Sequence, residues 1–220
     1  MPSPALNRFL WAAALIVLAV LGVQTRDQFE TLFAGVGKLE VSEESGSETV
    51  KLFWRGKIEA PMTAKLEAAF AKYETGTRKF VLSLSSPGGS LDQGAKVIRL
   101  LQRLRQTHTL ETTVDGRRVC ASMCVPVYLQ GERRRAAPNA RFMFHEVSFH
   151  ETVSREELDM PEAVIGSETS RFFAKYFRPV GVPDAWIQDV LAQVAGGHEV
   201  WKTGQELIDD SAGIVQRVTE

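Results

Sequence analysis

Only two cysteines occur in 220 residues, Cys120 and Cys124. With no histidine or further cysteine beside them, they do not make a structural zinc site. A charge excess is missing as well. Twenty-six Lys+Arg against 27 Asp+Glu leave a formal net charge of −1, without the basic surface that a general nucleic-acid binder needs. No glycine-rich phosphate loop is present. His145, Glu146, His150 and Glu151 lie close together, but not at the His-Glu-x-x-His spacing that sets two imidazoles on one helical face. No metal and no cofactor is therefore expected. Internal repeats and low-complexity tracts are absent. Hydrophobic residues at 44% and charged residues at 24% are ordinary for a soluble domain. The length suits one globular unit with a sizeable core.

Long apolar runs are missing too, with one exception. Phe9 to Val23 is apolar without interruption, preceded by Arg8 and followed by Asp27 and Glu30. Cationic residues before an apolar run and acidic ones after it suit export with the N-terminus inside. A signal-peptide core needs about 7–15 apolar residues and a spanning helix about 20, so both fates are open. No convincing Ala-x-Ala cleavage site follows, which favours an uncleaved anchor. The expected organisation is a signal peptide or signal-anchor helix over 1–25, a linker over 26–49 and a folded domain over 50–220. The domain would face the periplasm from a bacterial-type inner membrane, or be secreted there if the segment is cleaved. In such an oxidising compartment Cys120 and Cys124 are close enough in sequence for a disulfide. Two small buried thiols packed around a functional segment are the other reading.

Beyond the linker, strand-like and helix-like patterns alternate. Strands are expected at 50–54, 79–84, 109–114, 141–145 and 214–218, where apolar and β-branched residues run between turn signals. Helices are expected at 62–72, 91–104, 120–129, 161–177 and 183–194; Ala95, Ile98, Leu101 and Leu104 form one clear stripe. The run Arg133-Arg134-Arg135 reads as a solvated turn. Alternation of this kind defines an α/β fold with a parallel sheet and right-handed crossovers, and sites in such folds gather at the carboxyl ends of strands.

Three strand ends carry possible chemistry. Ser85-Ser86-Pro87-Gly88-Gly89 frees backbone N–H groups and permits unusual backbone angles, as an oxyanion loop requires; alone, it is more often a turn. Ser122, in Cys120-Ala121-Ser122-Met123-Cys124, could present its hydroxyl at the start of a helix, with the Met123 N–H at the positive helix end; a helix-capping serine is the plain alternative. His145, closing Phe142-Met143-Phe144, stands where a general base would, or is a satisfied structural histidine.

The order and spacing of these segments resemble the Clp protease proteolytic subunit and its wider crotonase-like superfamily. Leu52 to Ile58 is similar to the family's opening strand and turn. Ser85-Ser86-Pro87-Gly88-Gly89 resembles its oxyanion loop, and Ala121-Ser122-Met123 its nucleophile motif. Pro138-Asn139-Ala140-Arg141 and Met143-Phe144-His145 resemble the turn and strand that carry its base. The resemblance covers about 52–218 and implies a ClpP/crotonase-like spiral of β-β-α units after the N-terminal hydrophobic helix. It implies Ser122 as nucleophile, His145 as base, and the N–H groups of Gly88 and Met123 as oxyanion donors. Aligning Trp201 with the family's aromatic places Glu199 at the third position, where the family has aspartate; Asp189 falls inside an expected helix.

The implied function is a serine hydrolase, a peptidase working outside the cytoplasm on peptide or protein substrates. By analogy it forms a homo-oligomer through the segment after the histidine, touches the membrane through its N-terminal segment and binds no nucleic acid. A non-catalytic, peptide-binding scaffold on the same fold is the alternative. A Ser-Lys peptidase is disfavoured because His145 already fills the base position.

Overall fold

Residues 37–43, 46–148 and 160–219 are described in the computed structural model, and all fall in the compact unit Val36–Glu220. In chain order the elements are β1 (Lys38–Glu43), β2 (Thr49–Arg55), α1 (Ala60–Tyr73), β3 (Lys79–Ser85), α2 (Leu91–Leu104), β4 (Thr109–Val114), β5 (Val119–Ala121), α3 (Cys124–Tyr128), β6 (Arg133–Ala136), β7 (Arg141–Phe144), α4 (Glu162–Tyr176), a 3₁₀ turn (Arg178–Val180), α5 (Asp184–Val194), β8 (Val200–Thr203), α6 (Gly204–Asp209) and β9 (Arg217–Val218). The expected signal or anchor segment, 1–25, lies outside the described residues. Among the described residues no helix is long and apolar enough to cross a membrane.

Alternation of apolar and polar residues builds the larger sheet. Its order is β1-β2-β3-β4-β6-β9; β1 pairs antiparallel with β2, and every other neighbour pair is parallel. Leu52, Phe80 and Leu82 of the strands share a fully buried core with Leu66 of α1 and Val97 and Leu101 of α2. Each such side chain stabilises the fold by about 1.5–3 kcal/mol on leaving water. On the opposite sheet face, Glu111 is almost wholly buried. Arg133 at 3.2 Å, Lys79 at 3.8 Å and Arg135 at 3.8 Å offset its charge. A smaller sheet, β5-β7-β8, stands beside the first. In it β5 runs parallel to β7 and β8 antiparallel.

Four expectations need correction. The linker 26–49 contains β1, whose residues pair with β2 from Lys38↔Arg55 to Glu43↔Val50. The arginine run is not a solvated turn but β6: Arg134 is buried. Its guanidinium donates to the carbonyls of Ile214 (2.9 Å), Gly213 (2.9 Å), Gly131 (3.2 Å) and Val180 (3.4 Å), which satisfies a cation that burial would otherwise penalise. The helix expected over 120–129 is a strand through Ala121 and a helix only from Cys124, because Ser122 takes a left-handed conformation, φ 52°, through which a right-handed helix does not run. The closing strand expected over 214–218 is confined to Arg217–Val218. Elements β8 and α6 had no apolar period long enough to announce them. Helix α6 is fixed by a capping box: Thr203 Oγ1 accepts from the Glu206 N–H at 3.1 Å, and Glu206 accepts from the Thr203 N–H at 2.7 Å.

Candidate active site

Strands β2 and β3 run parallel, so their carboxyl ends lie at the same edge, where their loops meet β5. The Ser86 N–H donates to the Val119 carbonyl (2.8 Å) and the Ala121 N–H to the Ser86 carbonyl (3.0 Å). The Ile58 N–H donates to the Gly88 carbonyl (2.7 Å) and the Ser90 N–H to the Ile58 carbonyl (3.0 Å). The loop 86–90 is thus stitched on both sides. Gly88 and Gly89 have φ of 103° and 145°, conformations that residues with a Cβ rarely adopt. A Cβ on Gly88 would sit 2.7 Å from Ser122 Cβ and 3.2 Å from Ser122 Oγ. Gly88 is there because the serine is against it.

Ser122 joins β5 to α3. Its φ is 52°, a left-handed conformation unusual for a side-chain-bearing residue and frequent at functional sites. The Ser122 N–H donates to the Met143 carbonyl of β7 (2.9 Å), and the Ser122 carbonyl accepts from the Val125 N–H (3.0 Å). The capping position of α3 belongs to Met123, with no side-chain cap, so the serine hydroxyl is not spent as a helix cap. Cys120 and Cys124, left open as thiols or a disulfide, are bonded to each other, with Cα atoms 5.2 Å apart. Both are fully buried.

His145 follows directly on β7 and is half-buried. Burial holds its imidazole below the ordinary value, while the negative charges of Glu199 and Glu146 pull it back up in part. The β7–β8 ladder explains why Glu199 is near. Its antiparallel register runs from Arg141↔Thr203 to Phe144↔Val200, and one step further sets His145 opposite Glu199. The Glu199 carboxylate accepts from the Trp201 indole N–H at 3.0 Å, and the Trp201 ring in turn lies under the Arg141 guanidinium at 4.2 Å. Asp189 lies in α5, as its helical pattern implied.

Ser122, His145, Gly88 and Gly89 line one cavity of about 670 Å³. Its apolar wall includes Met143, Phe144, Phe172, Phe173 and Phe177, and Lys57, Asp92 and Glu146 bring charge to it. Two parts of the expected constellation differ in detail. The Gly88 N–H donates to Ser86 Oγ at 3.1 Å, so it is already engaged. Among the described residues the N–H groups of Gly89 and Met123 donate to no acceptor, and they are the donors available to an oxyanion. Among the described residues no hydrogen bond joins Ser122 Oγ to His145; such bonds commonly tighten only when substrate is present. Lys57, Asp92 and the aromatic residues of α4 were not singled out from sequence. Lys57 was the findable one, since it follows β2 at a strand's carboxyl end. The phenylalanines reach the cavity through the packing of α4, which no local pattern states.

The serine turn, the glycine loop against it and the histidine that follows β7 meet at one cavity, and sequence comparison supplies the family. The chain belongs to the Clp protease family, whose profile matches residues 48–188; membership brings a serine-peptidase-like function. Among its relatives is the ATP-dependent Clp protease proteolytic subunit 1 of Chlamydia muridarum, 23% identical over 171 residues, covering 77% of this chain and 78% of that protein. The same subunit of Chlamydia trachomatis is likewise 23% identical over 171 residues, with the same coverage. In fold the chain is similar to a ClpP1 mutant from Listeria monocytogenes: TM-score 0.58, 19% identity, 79% of this chain and 91% of that one.

Proposed function

We propose that this protein is a serine peptidase in which Ser122 attacks the scissile carbonyl and His145 takes its proton. The observation that carries the reading is the shared cavity: a serine in a left-handed conformation, a half-buried histidine with depressed basicity, and backbone N–H groups of Gly89 and Met123 that have no acceptor among the described residues border it or its nucleophile. The imidazole is neutral near pH 7 and able to accept the hydroxyl proton. The two N–H groups suit the oxygen that becomes negative in the tetrahedral intermediate, where one such donor supplies about 10²–10³ in turnover. Glu199, directly before β8 and charged close to His145, stabilises the imidazolium that forms and takes the orienting role of the third triad member. The apolar wall suits peptide segments with bulky apolar side chains.

The buried disulfide and the apolar run at 9–23 support a place outside the cytoplasm, with the N-terminal segment as signal or membrane anchor. A homo-oligomer follows from the family. The test is labelling by a fluorophosphonate probe: the oxidised wild type reacts, while Ser122→Ala and His145→Ala do not. A folded wild type that never labels favours the non-catalytic scaffold, for which the engagement of Glu199 by Trp201 is the one supporting contact.

A further inference from the structure

We propose that the Cys120–Cys124 disulfide is a positioning element for Ser122, required to keep the nucleophile in its left-handed, reactive conformation. This deepens the serine-peptidase reading and rests on it. The bond joins the middle residue of β5 to the first residue of α3 and has Ser122 at its centre. The elements it joins are only three and five residues long, too short to hold their own ends. At the turn between them the backbone is strained, with Ser122 at φ 52°, and the Met123 N–H has no internal acceptor among the described residues. Relaxation of Ser122 into the right-handed region would relieve the strain, and would swing the hydroxyl and the Met123 N–H together away from a common substrate carbonyl.

Global stabilisation does not account for this placement. A disulfide contributes through the loop it closes in the unfolded chain, and the shortest loops contribute least. What so short a loop does restrict is the turn inside it. The sulfurs are fully buried, so the bond is sheltered from casual exchange in the folded state. It forms by thiol–disulfide exchange with an external disulfide donor. One cysteine thiolate attacks a donor sulfur to form a mixed disulfide. The second cysteine thiolate attacks the protein sulfur of that bond and expels the donor's thiolate, and the donor leaves as the dithiol with the two electrons and two protons.

The experiment compares fluorophosphonate labelling rates and peptidase kinetics for the full-length chain in three forms: oxidised wild type, wild type reduced with an excess of dithiol, and Cys120→Ala/Cys124→Ala. The reduced fraction is counted by alkylation in a denaturing quench and mass measurement, and folding is followed by circular dichroism. The expected result is a fall of about tenfold or more in labelling rate and kcat, the effect of about 1.4 kcal/mol of lost preorganisation, with KM unchanged and the fold retained. Re-oxidation restores the rate, which a merely structural loss would not show. Should the double variant fail to fold, the reduced wild type decides. Folded reduced protein labelling within about threefold of the oxidised form overturns the positioning role and leaves the peptidase reading standing. Oxidised, folded wild type that never labels overturns both, so the two failures are distinguishable.

Discussion

Replacement of Gly88 by alanine should disable the nucleophile more than it disables the fold. The added Cβ would lie 2.7 Å from Ser122 Cβ and 2.9 Å from the Ala121 carbonyl oxygen, where carbon atoms prefer about 3.5–4.0 Å. The loop cannot retreat freely, because the Gly88 carbonyl is held by the Ile58 N–H at 2.7 Å. Relief therefore requires a displacement of several tenths of an ångström to about 1 Å in the Ser122 turn, and a misplacement of that size costs about 10² in rate. The φ of 103° adds about 1–3 kcal/mol of backbone strain, and overpacking typically about 1–3 kcal/mol more. Gly76→Ala is the matched control. Its φ is also positive, at 85°, but nothing lies within 4 Å of the new Cβ, so it should lose stability alone. Fluorophosphonate labelling rates and urea denaturation midpoints of both variants separate the two effects. A Gly88→Ala protein that is folded and labels within about threefold of wild type would refute the contact between the glycine loop and the serine.

Three further outcomes are expected. Burial lowers the His145 pKa, so the neutral base persists as pH falls through the ordinary 6.5 and is lost only on passing the depressed folded-state value. The acid limb of the labelling-rate profile should thus lie below 6.5, and Glu199→Gln, which removes a charge that raises the pKa, should move it lower still; a limb at or above the ordinary value contradicts the assigned burial. Arg134→Met removes the donor to four carbonyls and should cost about 3 kcal/mol or more in urea unfolding, at about 1–3 kcal/mol for each buried polar group left without a partner; Arg134→Lys, with fewer donors, should recover less than half. Thr203→Ala breaks the capping box of α6 and should cost about 1 kcal/mol, and an unchanged denaturation midpoint would argue against the cap.

Much of the fold was legible because its long elements carry strong periodicity. The stripe of Ile98, Leu101 and Leu104 placed α2, and the alternation in 79–84 placed β3. Most short elements were not legible, the four-residue β7 excepted, whose unbroken apolar run Phe142-Met143-Phe144 marked it. β5, β6 and β8 span three or four residues each, less than a pattern needs to declare itself. β6 also contradicts its own composition: Arg133-Arg134-Arg135 looks like solvent-facing charge. It becomes a strand because Glu111 on β4 offsets the outward-facing arginines and loop carbonyls satisfy the inward one. In the glycine loop the expected donor, the Gly88 N–H, is engaged by Ser86 Oγ. Which of two adjacent N–H groups stays unengaged depends on where the Ser86 hydroxyl turns, and that is a tertiary fact.

Ser122, His145 and the glycine pair stood out in the sequence because each ends or follows an expected strand, in a consistent order. The tertiary structure alone decided how they meet. Parallel crossovers carried the loops of 56–58 and 86–90 to one sheet edge, and the pairing of Phe144 with Val200 at the end of the β7–β8 ladder brings Glu199 within electrostatic reach of His145 from 54 residues away in the chain. The disulfide belongs to both levels. Its spacing was visible, but its closure around a left-handed serine is a matter of distance and backbone angle, which only the folded chain contains.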